Sequence, residues 1–281
     1  MTQLPDTLAD CAVAVLTCAN AEDKATLSQA CAAKWRNSLA AGAPMPVGQA
    51  TPPDRPARPD APELLDPKDV PQRKPGKPEG RLAMLHAVAH IELNAIDLHW
   101  DIIARFTHVD FPIGFYDDWV SAADDESKHF KLMQACLKAK GSHYGAFAAH
   151  AGMWRSAEET AGDLMARLAV VPMVLEARGL DVTPQMLELF KKFKEDQAVE
   201  ALNVIYAEEV AHVAYGSKWF NFLCGRENLD PKETFHSLVR HYFHGHLKPP
   251  FNHGMRANAG LPPDFYWPLA AEPRFGKNPL V

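Results

Sequence analysis

Two glutamate–histidine pairs constrain this chain more than any other feature of its sequence. Glu126 precedes His129 by three residues, and Glu209 precedes His212 by three. In an α-helix, side chains three residues apart leave the same face, one turn from each other. One metal ion can therefore bind both side chains of a pair.

A further glutamate precedes each pair at nearly the same distance. Glu92 lies 34 residues before Glu126, and Glu176 lies 33 residues before Glu209. Both stand among apolar residues in segments compatible with a helix. The repetition predicts one helix-pair unit used twice, in which the first helix supplies a Glu and the second a Glu-x-x-His pair.

A single Glu-x-x-His match carries little weight, because chance produces one in a chain of this composition. A third match, Glu233 with His236, follows Pro231 and has no separate upstream helix with a Glu at the repeat distance. We interpret it as surface decoration on a short helix. For the six repeated positions, the alternative is solvated side chains on helix surfaces.

Burial and charge favour metal binding at the repeated positions. An ionised glutamate on an apolar face costs several kcal/mol unless it is neutralised. Four carboxylates balance two divalent ions, and two neutral imidazoles complete the ligand set. Oxygen donors with one imidazole per metal suit iron or manganese and fit thiolate-preferring metals poorly. Spacing does not separate iron from manganese.

The order Glu, Glu-x-x-His, Glu, Glu-x-x-His resembles the ligand order of the ferritin-like superfamily. The segments HAVAHIELNAIDL, LEARGLDVTP and HLKPPFNHGMRANAGLPPDFYWPL resemble an uncharacterised bacterial ferritin-like family, a domain of unknown function, over most of the chain. The LEAR segment is also similar to the MiaE-type tRNA hydroxylases, which are di-iron monooxygenases; that likeness covers only the bundle. The resemblance implies an all-α fold, with a ferritin-like four-helix bundle and a di-metal carboxylate site.

The resemblance also implies the metals and their ligands. The expected cofactors are two iron ions, with manganese or a mixed Fe/Mn pair as alternatives, and at least one glutamate should bridge them. The expected ligands are Glu92, Glu126 and His129 for one metal, and Glu176, Glu209 and His212 for the other.

Neighbouring side chains are candidates for supporting roles. As in related di-iron bundles, Asp125 would orient His212 and Glu208 would orient His129; the alternative is two wet carboxylates beside the ligands. His99 is a candidate to contact the ligands or a packed core histidine. Tyr206, one turn before Glu209, is a candidate pocket residue or electron donor, or a core tyrosine. No catalytic residue besides the metal centre is assigned.

Composition changes divide the chain into four regions. Residues 1–42 read as an N-terminal extension of one or two helices. Residues 43–80 are Pro-rich and read as a linker or as a strap pinned by Leu64, Leu65 and Val70. Residues 81–225 form the bundle, and residues 226–281 a C-terminal helix and docking tail that is a candidate lid.

Helix signals place the bundle elements. The first two helices are expected at 81–106 and 117–140. A capping box at Ser156 opens a third helix that ends at Gly179, with Pro172 bending it beside Glu176. Thr183-Pro184 starts the next segment, either one long helix or two with a break near Asp196.

Two aspartates are also assigned from the helix pattern. Asp97 and Asp101 are expected to face solvent or a neighbouring arginine.

Charge and cysteine content limit the partners. The net charge of −6 supplies no global attraction to nucleic acid, although a local patch for tRNA is not excluded. Five cysteines without a C-x-x-C spacing indicate reduced thiols in a cytoplasmic protein. The sequence has no run of 18 apolar residues, so no membrane-spanning helix is predicted. A homodimer is left open.

The leading function is an O₂-dependent di-iron oxidoreductase or hydroxylase acting on a small-molecule substrate. Without a C-x-x-C iron–sulfur module, its electrons would come from a separate donor protein. One alternative is a rubrerythrin-like peroxidase or iron-handling protein. The other is a non-catalytic, metal-stabilised scaffold that binds a partner.

Overall fold

A computed structural model of the chain describes residues 3–272. Within that range every regular element is helical, and the extended chain contributes an isolated bridge between Leu64 and Ala149. The all-α prediction is confirmed. Among the described helices, none combines the length and the apolar character that crossing a membrane requires.

The chain divides into two compact units. The first runs to Trp154 and includes Glu195–Ala201; the second holds Arg155–Lys194 and the chain from Leu202 onward. The helices before the first boundary are α1 (Leu8–Leu16), α2 (Ala21–Ala40), α3 (Pro78–Arg105) and α4 (Ile113–Ala139). The remaining helices are α5 (Gly152–Glu159), α6 (Leu164–Val170), a π-helix (Val171–Glu176), α7 (Ala177–Lys192), α8 (Asp196–Glu227), α9 (Pro231–Tyr242), α10 (His253–Asn258) and α11 (Pro263–Ala270).

The first unit is built on α3 and α4, with α1 packed on α3 and α2 on α4. The N-terminal extension is two helices because two caps start it. Thr7 Oγ1 accepts a hydrogen bond from the N–H of Asp10, and Asn20 Oδ1 accepts one from Asp23. Each cap satisfies a backbone donor that an isolated helix end leaves unpaired.

The Pro-rich segment runs as an ordered strap on the first unit. The N–H of Leu8 donates to Pro46, the N–H of Ala57 donates to Leu16, and Arg105 donates to the carbonyl of Pro53. Of the three residues expected to pin the strap, Leu64 is exposed over 41% of its surface, whereas Leu65 and Val70 are half-buried. Backbone hydrogen bonds and the side chain of Arg105 hold the segment.

Asp97 and Asp101 are both buried in α3. Asp97 pairs with Lys24 of α2, which is also buried, so the expectation that Asp97 faces solvent or an arginine is wrong. Asp101 receives a two-pronged hydrogen bond from Arg105, which confirms the arginine alternative. The difference arises because α2 and the strap cover the turn of α3 that carries Asp97.

The third helix differs from its prediction at both ends. It begins at Leu164, where Asp163 accepts a hydrogen bond from the N–H of Ala166, and Ser156 instead lies inside the short α5. It does not stop at Gly179, because α7 continues to Lys192. Pro172 lies in the π-helix, so the helical hydrogen-bond pattern is irregular where a bend was expected.

Pro184 lies inside α7 and does not start a helix. A proline cannot donate to the carbonyl four residues before it. The carbonyl in question, that of Leu180, accepts a hydrogen bond from Asn252 Nδ2 at 3.2 Å. A side chain from the C-terminal region thus replaces the missing donor. The break near Asp196 is confirmed, since α7 ends at Lys192 and α8 begins at Asp196.

Buried polar contacts hold the C-terminal region within the second unit. Arg256 donates two hydrogen bonds to Asp181 of α7, at 2.9 and 2.7 Å. His236 is buried, and its Nε2 lies 2.9 Å from the carbonyl oxygen of Phe265. The interpretation of the third Glu-x-x-His match as surface decoration is therefore wrong for His236, while Glu233 is exposed.

Gly216 brings α8 close to the π-helix. A Cβ at this position would lie 2.5 Å from Pro172 Cγ, far inside van der Waals contact with a rigid ring. We predict that Gly216→Ala lowers the free energy of unfolding by about 1–3 kcal/mol, as overpacking does. Gly225→Ala in the same helix meets nothing within 4 Å and should be neutral or stabilising. Urea unfolding of both variants tests the contrast, and equal effects would contradict it.

His86 anchors the loop after α4. Its ring is buried, its Nε2 accepts a hydrogen bond from the N–H of Gly145, and it stacks on Tyr144. Burial, followed by the nearby charges of His143 and Arg73, lowers the pKa of His86 to about 4. Protonation would remove the acceptor that holds the loop.

The depressed pKa of His86 predicts acid destabilisation. The unfolded chain binds this proton near pH 6.5, whereas the folded chain binds it only near pH 4. The free energy of unfolding therefore decreases as the pH is lowered from about 6.5 to about 4. The slope from this residue is at most about 1.4 kcal/mol per pH unit. Urea unfolding at pH 7 and pH 5 should give a smaller difference for His86→Gln than for wild type. His108→Gln, at an exposed position, is the control and should keep the wild-type slope.

Candidate metal centre

In the first unit, α3 and α4 bring together Glu92, Glu126 and His129, which we call the first ligand cluster. All three side chains are buried. His129 Nδ1 lies 3.4 Å from Glu92 Oε2 and 3.4 Å from Glu126 Oε2. One ligand atom from each residue lies within 4.8 Å of the others.

These separations suit atoms that share one ion. Two ligand atoms each about 2.1 Å from a metal lie about 3.0 Å apart at a right angle and about 3.4 Å apart at the tetrahedral angle. A strong N–H···O hydrogen bond would instead place the heavy atoms at about 2.7–3.2 Å. The donor set and spacing of the first ligand cluster therefore fit a divalent metal ion.

The electrostatics of the cluster also favour a cation. Burial, followed by the charge of Glu126, raises the pKa of Glu92 well above its ordinary value, while His129 acts in the opposite direction. Two carboxylates that are removed from water cannot both ionise cheaply beside each other. A divalent ion would supply the compensating charge and displace the proton.

Two predicted neighbours of the ligands occupy different environments. His99 is fully buried, with Nε2 3.7 Å from Glu126 Oε1 and its ring stacked on Trp119. It lies beside a ligand, as one of its two predicted roles requires. Asp125 is only half-buried and accepts a hydrogen bond from Lys128 Nζ at 2.9 Å.

The second unit carries Glu176, Glu209 and His212, which we call the second ligand set. All three side chains are buried. His212 Nδ1 lies 3.5 Å from Glu209 Oε2. This repeats the Glu126–His129 geometry to within about 0.1 Å, as expected for equal spacing on α-helices. Glu176 is the last residue of the π-helix, so the irregular backbone ends at a predicted ligand.

Tyr206, one turn before Glu209, is half-buried, and its hydroxyl accepts a hydrogen bond from Asn252 Nδ2 at 2.6 Å. Asn252 also caps α10 and donates a hydrogen bond to the carbonyl of Leu180, so it connects α7, α8 and α10 within the second unit. Sequence reasoning missed Asn252, because its partners are distant along the chain. Glu208 is half-buried in α8.

Comparisons with known proteins place this arrangement in a family. A family model described as "Protein of unknown function (DUF455)" matches residues 17–267. A Haemophilus influenzae protein named "Uncharacterized protein" is 41% identical over 210 residues, which cover 73% of each chain. No solved structure matches the chain.

Metal binding should stabilise the fold through the first ligand cluster. At a Mn²⁺ concentration about 100 times its Kd, metal-stripped wild-type protein should gain about 2.7 kcal/mol, a rise of several degrees in Tm. Glu126→Gln and His129→Ala should lose most of that rise, because each removes a ligand. Glu233→Gln, in the unrelated Glu-x-x-His match, should retain it. Thermal unfolding with and without Mn²⁺ measures these shifts in Tm. Equal Tm shifts in Glu126→Gln and wild type would refute the ligand assignment.

Proposed function

We propose that this chain, which belongs to the family of proteins of unknown function DUF455, is a non-haem di-metal carboxylate oxidoreductase. The proposed reaction is the O₂-dependent oxidation, most simply hydroxylation, of a small organic substrate. The observation that carries the proposal is the buried first ligand cluster, with Glu92, Glu126 and His129 at metal-ligand spacing.

The second ligand set supports two metal ions per chain. It offers two carboxylates and one imidazole, as the first cluster does, and its Glu-x-x-His geometry is nearly identical. We propose that six residues hold two ions: Glu92, Glu126, His129, Glu176, Glu209 and His212. Iron is the proposed metal because the ligand order resembles that of the ferritin-like superfamily, whose four-helix bundle is also the proposed fold.

The metal ions and the residues of the chain would contribute differently to the reaction. When bound, two iron ions would supply the redox chemistry towards O₂ or peroxide. The chain's residues supply the ligands, and burial of those ligands keeps bulk water from them. Asn252 donates a hydrogen bond to the hydroxyl of Tyr206, one turn from Glu209, and in this proposal Tyr206 would contact the substrate. His99 lies beside Glu126, with Nε2 3.7 Å from Oε1, and would help to position that carboxylate.

Two other functions remain candidates. A rubrerythrin-like peroxidase or iron-handling protein would use the same ligands without an organic substrate. A metal-stabilised scaffold would use them for stability alone, and the strap and C-terminal region would bind a partner. A separate donor protein would deliver the electrons for either redox function, since the sequence has no C-x-x-C iron–sulfur module.

Metal content and oxygen uptake test the proposal together. Elemental analysis of iron-reconstituted wild-type protein should find two irons per chain, and the reduced protein should consume O₂ repeatedly when a chemical reductant is supplied. Glu126→Gln should lose this turnover, while Glu233→Gln should keep it. Two irons per chain without any O₂ or peroxide consumption would refute a redox function and favour the scaffold.

The pattern of consumption separates the redox alternatives. Uptake that stops after one round of metal oxidation would identify an iron-handling protein. Turnover with peroxide but not with O₂ would identify a peroxidase. Sustained O₂ uptake would support an oxygenase and justify a substrate search.

A further inference from the structure

A row of aromatic side chains leads away from the first ligand cluster along α4. Its first member is His99 of α3, whose Nε2 lies 3.7 Å from Glu126 Oε1. The ring of His99 stacks on the indole of Trp119, with the ring centroids 5.5 Å apart and the ring planes at 25°. Both side chains are fully buried. One imidazole ring therefore connects a proposed ligand to a tryptophan.

The row continues towards the start of α4. Trp119 meets Phe115 edge to face at 6.2 Å between ring centroids, and Phe115 stacks on Phe111 at 4.0 Å. Ile113, the first residue of α4, is exposed over 46% of its surface. The row therefore runs, within the first unit, from the buried ligands to the protein surface beside Ile113.

Trp119 lies near the middle of this route. Six positions of α4 separate it from Ile113, and seven separate it from Glu126. At a rise of about 1.5 Å per residue, these separations are about 9 Å and about 10 Å along the helix axis. An electron that crosses from the start of α4 to Glu126 can therefore make two short steps instead of one long step.

Trp119 is also the member of the row that can lose an electron. An indole ring is oxidised by one electron more readily than a phenyl ring, because its nitrogen donates electron density to the ring. Phe111 and Phe115 lack such an atom and serve as packing between Trp119 and the surface. Packing alone accounts for a large ring at position 119. It does not require that ring to be an oxidisable one stacked on the histidine beside a ligand.

We propose that Trp119 relays single electrons between the exposed start of α4 and a metal ion in the first ligand cluster. This inference rests on the proposed function, and it assigns the route by which the separate donor protein would deliver its electrons.

The relay transfers electrons and no atoms. Trp119 gives one electron to an oxidised metal ion, which is reduced. One electron from the donor protein then restores Trp119, whose indole keeps its N–H proton throughout. Overall, the donor loses one electron and the metal ion gains one.

A photochemical label at the start of α4 tests the route without any metal. Full-length Cys18→Ala, Ile113→Cys protein is stripped of metal and labelled at position 113 with a ruthenium complex. The other four cysteines are buried, so labelling should be selective. A light flash with an electron acceptor in solution makes the label a one-electron oxidant, and peptide mass spectrometry then locates the oxidised tryptophan. The expected site is Trp119. Oxidation of other tryptophans with Trp119 left intact would overturn the proposal.

The rate of metal reduction tests the relay in the iron-loaded protein. Here the flash makes the same label a reductant, and the loss of ferric absorption is followed. Trp119→Phe should slow this reduction at least about tenfold, since each 1.36 kcal/mol added to a barrier slows a step tenfold. The control is Trp100→Phe in α3, which removes a fully buried tryptophan whose Nε1 donates to Ser28 Oγ at 2.8 Å. It should keep the original rate.

Iron content and folding separate the possible failures. Equal reduction rates in Trp119→Phe and the parent protein, at equal iron content, would overturn the relay and leave the proposed function intact. Failure of the parent protein to bind iron would refute the proposed function itself, and the relay with it. If Trp119→Phe does not fold, as judged by urea unfolding, the peptide map of the metal-free protein decides on Trp119.

Discussion

Carboxylates that have left water repel one another, and this repulsion is the constraint on which the ligand-bearing helices depend. Glu92 and Glu126 are buried together on facing positions of α3 and α4, with His129 as their polar neighbour. Well-packed apolar side chains would stabilise the same helices at lower cost. The cluster is therefore compatible with a site where a divalent cation would offset this repulsion.

Each unit supports its ligand-bearing helices with a different kind of contact. In the first, the strap and α2 surround α3 through backbone hydrogen bonds and the buried Lys24–Asp97 pair. In the second, Asp181 and Arg256 join α7 to the C-terminal region, and Gly216 admits Pro172 against α8. Both arrangements use polar or close backbone contacts that lock one geometry, whereas apolar packing alone tolerates many.

Local sequence rules predicted most of the helices and the Glu-x-x-His spacing. The Glu-x-x-His geometry follows from the pitch of an α-helix, and the π-helix lies where Pro172 interrupts the hydrogen-bond ladder. The errors at Asp97, Pro184 and His236 share a cause, which is a partner distant in sequence. Lys24 makes burial of Asp97 tolerable, and the carbonyl of Phe265 does the same for His236. No periodicity or motif encodes such distant partners. The same patterns do not identify the substrate or the metal.

The hydrogen bond from Asn252 to Leu180 has a consequence for how the chain matures. A ribosome releases α7 well before residue 252, because 72 positions separate the two partners. Until that asparagine emerges, the turn of α7 ahead of Pro184 has a carbonyl that only water can satisfy. The interior of the second unit thus acquires this contact late in synthesis, and a chain truncated before residue 252 would lack the donor that replaces the Pro184 N–H in α7.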